Sequence, residues 1–403
     1  MRAIAQVLSF DLIAKLLLGI SGIILIRIMS EVEYSLYTLL MSLSAMASQV
    51  LATSFNRIFI VGYERLGLSS ASSHFLGVQV WLMGIMLLAT LPLAATHPML
   101  YGCAAVISVT TCLSEFARSF YRQEMRFIRF SLLDVGRAFV VIVGILALAV
   151  VTEQQVAAWQ IAALQSAALF GVFVVGAANR IKFKDLLAIK PILSLFSTVV
   201  AGPYRYLFGY AVLLAILTQV DVLTLKVLAG DASLAAYGSA RRYYALMLMG
   251  LSAVHVVLLP SVQRASQFDE LDRIFRQFGR VLWLLVPGVL AAISLAPWLI
   301  PWIDGGRYPE AVPVFQVLTL SAGISLAFSP YVNILMKAEL FRYLLVLVGS
   351  ALIISVSLNM LLVPWIGALG SAISTLIGNA VVNGMTFWRA RTYVQGMRTT
   401  ATL

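Results

Sequence analysis

Long apolar runs alternate with short polar breaks along the whole chain. Windows of about 20 apolar residues, the length that crosses a hydrocarbon layer of about 30 Å at 1.5 Å per residue, recur twelve times. They fall near 10–29, 36–58, 75–95, 98–118, 130–151, 155–178, 196–228, 235–260, 281–302, 311–335, 342–363 and 367–388. The pattern predicts an all-α integral membrane protein with twelve transmembrane helices. The seventh window is too long for one straight crossing. Gly202-Pro203 is its expected break, because proline removes a backbone donor and clashes with the preceding turn. The first window carries Asp11 and Lys15 and no small-residue cleavage pattern, so a retained first helix is expected, not a secretory signal.

Composition agrees with the pattern. Hydrophobic residues make up 61% of the chain and charged residues only 11%, with a mean hydropathy of +0.96, where a soluble domain has roughly a quarter of its residues charged. The net charge of +11 is topological and does not imply a nucleic-acid partner. With the N-terminus in the cytoplasm, 20 of the 28 Lys and Arg residues fall in cytoplasmic segments and Arg307 alone in an external loop, the bias of the positive-inside rule. The expectation is a multi-pass protein of the bacterial cytoplasmic (inner) membrane with both termini cytoplasmic. The seven tryptophans sit near ends of predicted helices, where indoles settle at the headgroup level. Cys103 and Cys112 share one predicted helix and are too far apart along it to bond, so they read as packing residues.

A weak internal repeat divides the chain. Ser30 to Tyr37 after the first helix resembles Gly230 to Tyr237 after the seventh, and both following helices run into an arginine, Arg57 and Arg264. Six helices per half is an even number, so the halves share orientation and are related by a pseudo-twofold axis along the membrane normal. The expected domains are an N-lobe over 1–178, a basic cytoplasmic linker over 179–192 and a C-lobe over 193–403. Two six-helix lobes leave a central cleft as the natural substrate site.

Charges inside apolar helices carry the functional signal, because lipid does not tolerate them. The stretch from Gln219 to Arg264 holds Asp221, Lys226, Arg241 and Arg242 around a turn at Gly230-Asp231. Lys15 and Arg205 are the cations least able to reach the surface with their stems, and are expected to face the cleft. Arg27, Lys226, Arg241 and Arg242 lie within two turns of the external surface, and snorkelling suits Lys226. Glu115 with Arg118 and Asp134 with Arg137 are three apart, each pair on one helical face. They read as structural ion pairs locking neighbouring helices, with admission of a charged headgroup as the other reading. Asp221 either pairs with Arg241 or Arg242 or binds a proton or sodium ion. Seven basic residues (Lys15, Arg27, Arg137, Arg205, Lys226, Arg241 and Arg242) stand against four acidic ones (Asp11, Glu115, Asp134 and Asp221) inside the helices. That surplus suits an anionic cargo. Amides such as Gln49, Asn56, Gln79, Asn359 and Asn383 offer neutral hydrogen bonds, to sugars or between helices.

The sequence has no phosphate-binding glycine loop with lysine, no metal-ligand spacing and only three histidines, so no cofactor or metal is expected. External loops of about ten residues or fewer leave little room for the active site of a membrane glycan polymerase. Transport without covalent chemistry is the expectation, and the chain is not expected to be an enzyme.

Three stretches carry a family likeness. They are Asp221 in QVDVLTLKVLAG with Tyr237-Gly238-Ser239-Ala240-Arg241 and Leu259-Pro260; Glu33-Tyr34-Ser35-Leu36-Tyr37; and NMLLVPWIGALGSAISTLIGN over 359–379. The chain resembles the polysaccharide transport family, the O-antigen and exopolysaccharide repeat-unit flippases of the multidrug, oligosaccharidyl-lipid and polysaccharide exporter superfamily. Ser35 stands where that family usually has glycine. The resemblance implies a two-lobed alternating-access transporter that turns an undecaprenyl-pyrophosphate-linked oligosaccharide across the membrane. Its headgroup would be held by Lys15 and Arg205 with Arg27, Arg137, Arg241 or Arg242. Membrane lipids and the pathway's polymerase and chain-length regulator are the implied partners. The twelve windows set it apart from the fourteen-helix peptidoglycan-precursor flippases. An ion-coupled drug or small-molecule antiporter on the same fold is the competing reading.

Overall fold

A computed structural model describes residues 2–56, 72–123, 127–152, 156–177, 181, 186, 188–202, 205–245, 268–338 and 340–401. Within them the chain is helical. It forms two compact units, Met1–Gln219 and Val220–Leu403.

The first unit holds α1 (Arg2–Ile28), α2 (Glu31–Ser48), α3 (Ser72–Ala89), the short α4 (Pro92–Thr96), α5 (Pro98–Gln123), α6 (Phe127–Val151), α7 (Ala158–Gly176), α8 (Ile189–Val200) and α9 (Arg205–Leu217). Helix α1 packs on α6, α5 on α7 and α2, and α8 on α3. Ser30 starts α2 by accepting the Glu33 amide on its hydroxyl, at 3.3 Å, which satisfies one of the orphan donors of a helix N-terminus. The Glu33 carboxylate does not turn back to complete the cap. It accepts the backbone N–H of Ala158 at 2.6 Å, so one side chain ties the first turn of α2 to the first turn of α7. Past Ser48 the helix widens into a π-helical turn, Gln49–Thr53. Ile192, Leu195 and Val199 of α8 share one core with Phe55, Phe75 and Phe116. The apolar face of α8 is thus buried against the first unit's own aromatic residues.

The second unit holds α10 (Val220–Leu228), α11 (residues 231–245 of those described), α12 (Phe268–Asp304), α13 (Ala311–Lys337) and α14 (Phe341–Ala401). Helix α13 packs on α12 and α14, and α14 also packs on α10. Two glycines make its reversals. Gly230, with φ 77°, separates α10 from α11, and Gly367, with φ 53°, sits in a break that interrupts α14 at Ile366-Gly367. Both are in the left-handed region that a Cβ disfavours.

Eight helical stretches among the described residues are long and apolar enough to cross a membrane, and one of them, Phe341–Gln395, spans both sides of the Gly367 break and so covers the last two expected windows. Ser73–Ala89 and Ile189–Val200 are apolar but shorter, and the eighth window runs into 246–267, outside the described residues. The seventh window is divided twice: α8 stops at Val200, α9 resumes at Arg205, and a turn at Thr218-Gln219 precedes α10. This is a multi-pass membrane protein. All seven tryptophans are solvent-facing or lipid-facing, from 43% exposed at Trp81 to 84% at Trp365. Cys103 and Cys112 are both free thiols.

Candidate functional site

Asp221 is the centre of the second unit. It lies in the first turn of α10 and is only 8% exposed. Three neutral side chains donate to it: the Tyr237 hydroxyl to Oδ2 at 2.8 Å, the Thr375 hydroxyl to Oδ2 at 2.6 Å, and the Asn359 amide to Oδ1 at 3.1 Å. The glycine reversals explain how residues so far apart in sequence meet. Asp221 and Tyr237 lie nine and seven residues from Gly230, and Asn359 and Thr375 lie eight residues either side of Gly367. At 1.5 Å per residue each pair sits at nearly one depth, about 12 Å from its turn. The Asn359 amide is also held by its own helix, giving to the Ser355 carbonyl at 2.9 Å. Its Oδ1, and the Ser371 hydroxyl one turn before Thr375, are buried without hydrogen-bond partners among the described residues. None of these three donors carries a charge.

Arg241 acts electrostatically on Tyr237, and Arg241 and Arg242 are both half-buried on α11. Lys226, for which snorkelling was expected, forms an ion pair with Asp231 across the Gly230 turn, both about a third exposed.

The first unit gathers the other charges. Arg118 on α5 is bonded to Glu115 on its own helix and to Asp134 on α6. One guanidinium thus serves both carboxylates, and the pair that forms across the helices is Arg118 with Asp134. Arg137, one turn along α6, is half-buried beside them, and its Nε has no hydrogen-bond partner among the described residues. Tyr37 of α2 stands close to this group and accepts a hydrogen bond from Gln165 of α7 at 3.1 Å.

Lys15 is half-buried in the middle of α1, and Arg27 is exposed near its end. Arg205 opens α9 and is exposed, donating to the Tyr206 hydroxyl at 3.1 Å with its guanidinium carbon 4.7 Å from that ring's centre. Arg57, Arg65 and Arg264 lie outside the described residues, as does the side chain of Asp11. Sequence reasoning named Asn359 only among many amides and missed Thr375; the equal spacing of the two about Gly367 is the signal that finds them.

The fold is one that solved membrane transporters share. The structure is similar to the lipid II flippase MurJ in an inward closed conformation, with a TM-score of 0.73 and 15% identity over 94% of this chain and 86% of that one. It is similar to a superfamily transporter from Pyrococcus furiosus, at 0.65 and 14% identity, covering 98% and 96% of the two chains. An outward-facing multidrug resistance MATE transporter matches at 0.63 and 14% identity, covering 99% and 96%. No protein-family model matches the sequence, and no curated protein sequence matches it.

Proposed function

We propose that the chain is a transporter that turns an undecaprenyl-pyrophosphate-linked oligosaccharide across the bacterial inner membrane by alternating access, supplying O-antigen, exopolysaccharide or capsule assembly. The observation that carries this reading is the likeness to a lipid-linked-precursor flippase over 94% of the chain, joined to seven basic against four acidic residues inside the predicted helices. Lys15 and Arg205 are the proposed pyrophosphate ligands, assisted by Arg27, Arg241 and Arg242. Arg137 is the weakest member of that set, since Glu115 and Asp134 stand beside it. The reading includes twelve crossings, cytoplasmic termini, lobes over 1–178 and 193–403 and the linker 179–192 between them. Its implied partners are the pathway's polymerase and chain-length regulator.

The environment of Asp221 favours a second reading, an ion-coupled drug or small-molecule antiporter. A buried carboxylate next to an unpartnered amide oxygen and hydroxyl suits a proton or a sodium ion, and the MATE transporters have this fold. Ion coupling at Asp221 is compatible with either cargo.

Proteoliposomes separate the two. A fluorescent polyprenyl-pyrophosphate oligosaccharide should become fully accessible to a membrane-impermeant quencher. Replacing Lys15 and Arg205 together by glutamine should slow this roughly tenfold or more, the loss expected of charge-assisted contacts of about 1.5–3 kcal/mol. Accessibility stuck at the outer-leaflet fraction, with uptake of an organic cation in the same vesicles, would replace the flippase by the antiporter.

A further inference from the structure

The first unit contains a cavity of about 410 Å³ that no charged residue lines, bounded by α2, α3, α4, α5 and α9. Its size is that of a small-ligand site, and such sites normally place a few polar groups against apolar walls. Here Met46, Val50, Met86, Leu100, Ala104 and Ile216 make most of the wall, and the polar lining is Thr90, His97, Tyr101 and Ser108. Two of those four are already engaged with backbone: the Thr90 hydroxyl donates to the Met86 carbonyl at 2.8 Å and the Tyr101 hydroxyl to the Leu87 carbonyl at 2.7 Å. That leaves the buried hydroxyl of Ser108 within α5 and, at one end, His97, exposed between α4 and α5.

The walls offer little to hold a water, which needs two to four polar partners to be fixed, and they suit an apolar guest. The helices α2, α5 and α9 belong to stretches apolar enough to cross a membrane, so the apolar molecule in excess around them is lipid. A second observation points to the same place. The α2 wall changes to π-helix at Gln49, one residue before Val50, and the α9 wall ends at Leu217, one residue past Ile216. Thr218, just beyond α9, donates to the Gln49 side chain at 3.2 Å, joining the two irregularities at the cavity edge. π-helical turns inside α-helices occur frequently at functional sites.

We infer that this cavity is a lipid site that takes one acyl chain of a membrane phospholipid, with the polar end toward His97. The inference needs only that the chain spans a membrane, and it stands or falls apart from the cargo.

The test uses the full-length protein in nanodiscs containing phosphatidylglycerol with a photoactivatable diazirine midway along one chain. Adducts should concentrate on residues such as Met46, Met86 and Leu100. Ala104→Phe, which fills the space, should lower their yield by about tenfold while leaving adducts at the outward-facing Val140 and Trp283 unchanged. Ala105→Leu, a smaller filling, should lower it by less. Adducts spread evenly over the lipid-facing residues of the unmodified protein would overturn the inference whatever the variants do. So would stronger labelling of the cavity by a diazirine-bearing polyprenyl phosphate than by the phospholipid, which would make the occupant a cargo tail.

Discussion

Buried acids are handled in opposite ways in the two units. In the first, Glu115 and Asp134 share the guanidinium of Arg118, so two negative charges meet a full positive charge and α5 is pinned to α6. In the second, the hydrogen-bond partners of Asp221 among the described residues are two hydroxyls and an amide. Neutral donors stabilise a carboxylate without adding a charge of their own, and an ionisable group in a membrane helix is a candidate for function. The contrast lies in the partners more than in burial, since Asp134 and Asp221 are equally buried.

The largest effect should come from breaking the lock. Arg118→Met strands the buried carboxylate of Asp134 and the half-buried one of Glu115 and should cost about 3 kcal/mol, the low end of the loss typical of removing one partner from a buried ion pair. Thermal unfolding of the purified protein reads it, and Glu115→Gln with Asp134→Asn in the same chain should recover most of the stability. Asp221→Asn should do the reverse, leaving the unfolding temperature nearly in place while transport falls by about tenfold or more and loses its response to a pH or sodium gradient. An Asp221→Asn protein with unchanged gradient dependence would make Asp221 a second structural group.

Smaller effects test how the site is assembled. Gly367→Ala forces a left-handed backbone on a residue with a Cβ and places that Cβ 2.8 Å from the Ser233 hydroxyl. The backbone conformation alone should cost roughly 1–3 kcal/mol, seen as a lower unfolding temperature. Lys226→Ala should change stability by less than about 1 kcal/mol, because its pair with Asp231 is a third exposed and such pairs contribute little.

Much of this was legible in the sequence, for reasons that differ by element. The apolar windows anticipate the helices because hydrocarbon thickness fixes their length. The 219–264 stretch drew attention to Asp221 because a lone acid in an apolar helix is costly. Its partners were harder to see. Thr375 is a hydroxyl in an apolar helix, and such hydroxyls usually bond their own preceding turn, as Thr375 also does with Ser371 at 3.1 Å. Which arginine takes Asp134 was not readable either, since spacing along α6 places Arg137 on the same face, whereas the α5–α6 packing delivers Arg118. The π-helical turn at Gln49 has no signature in composition, and the packing of α8 against Phe55, Phe75 and Phe116 is a long-range contact that no local pattern shows.

The placement of the indoles has a practical consequence. With every tryptophan at least 43% exposed, intrinsic fluorescence of this protein monitors the surrounding amphiphile more than the interior. Brominated lipids should therefore dim nearly the whole emission, and a fluorimeter following denaturant would register delipidation before any loss of the helical frame.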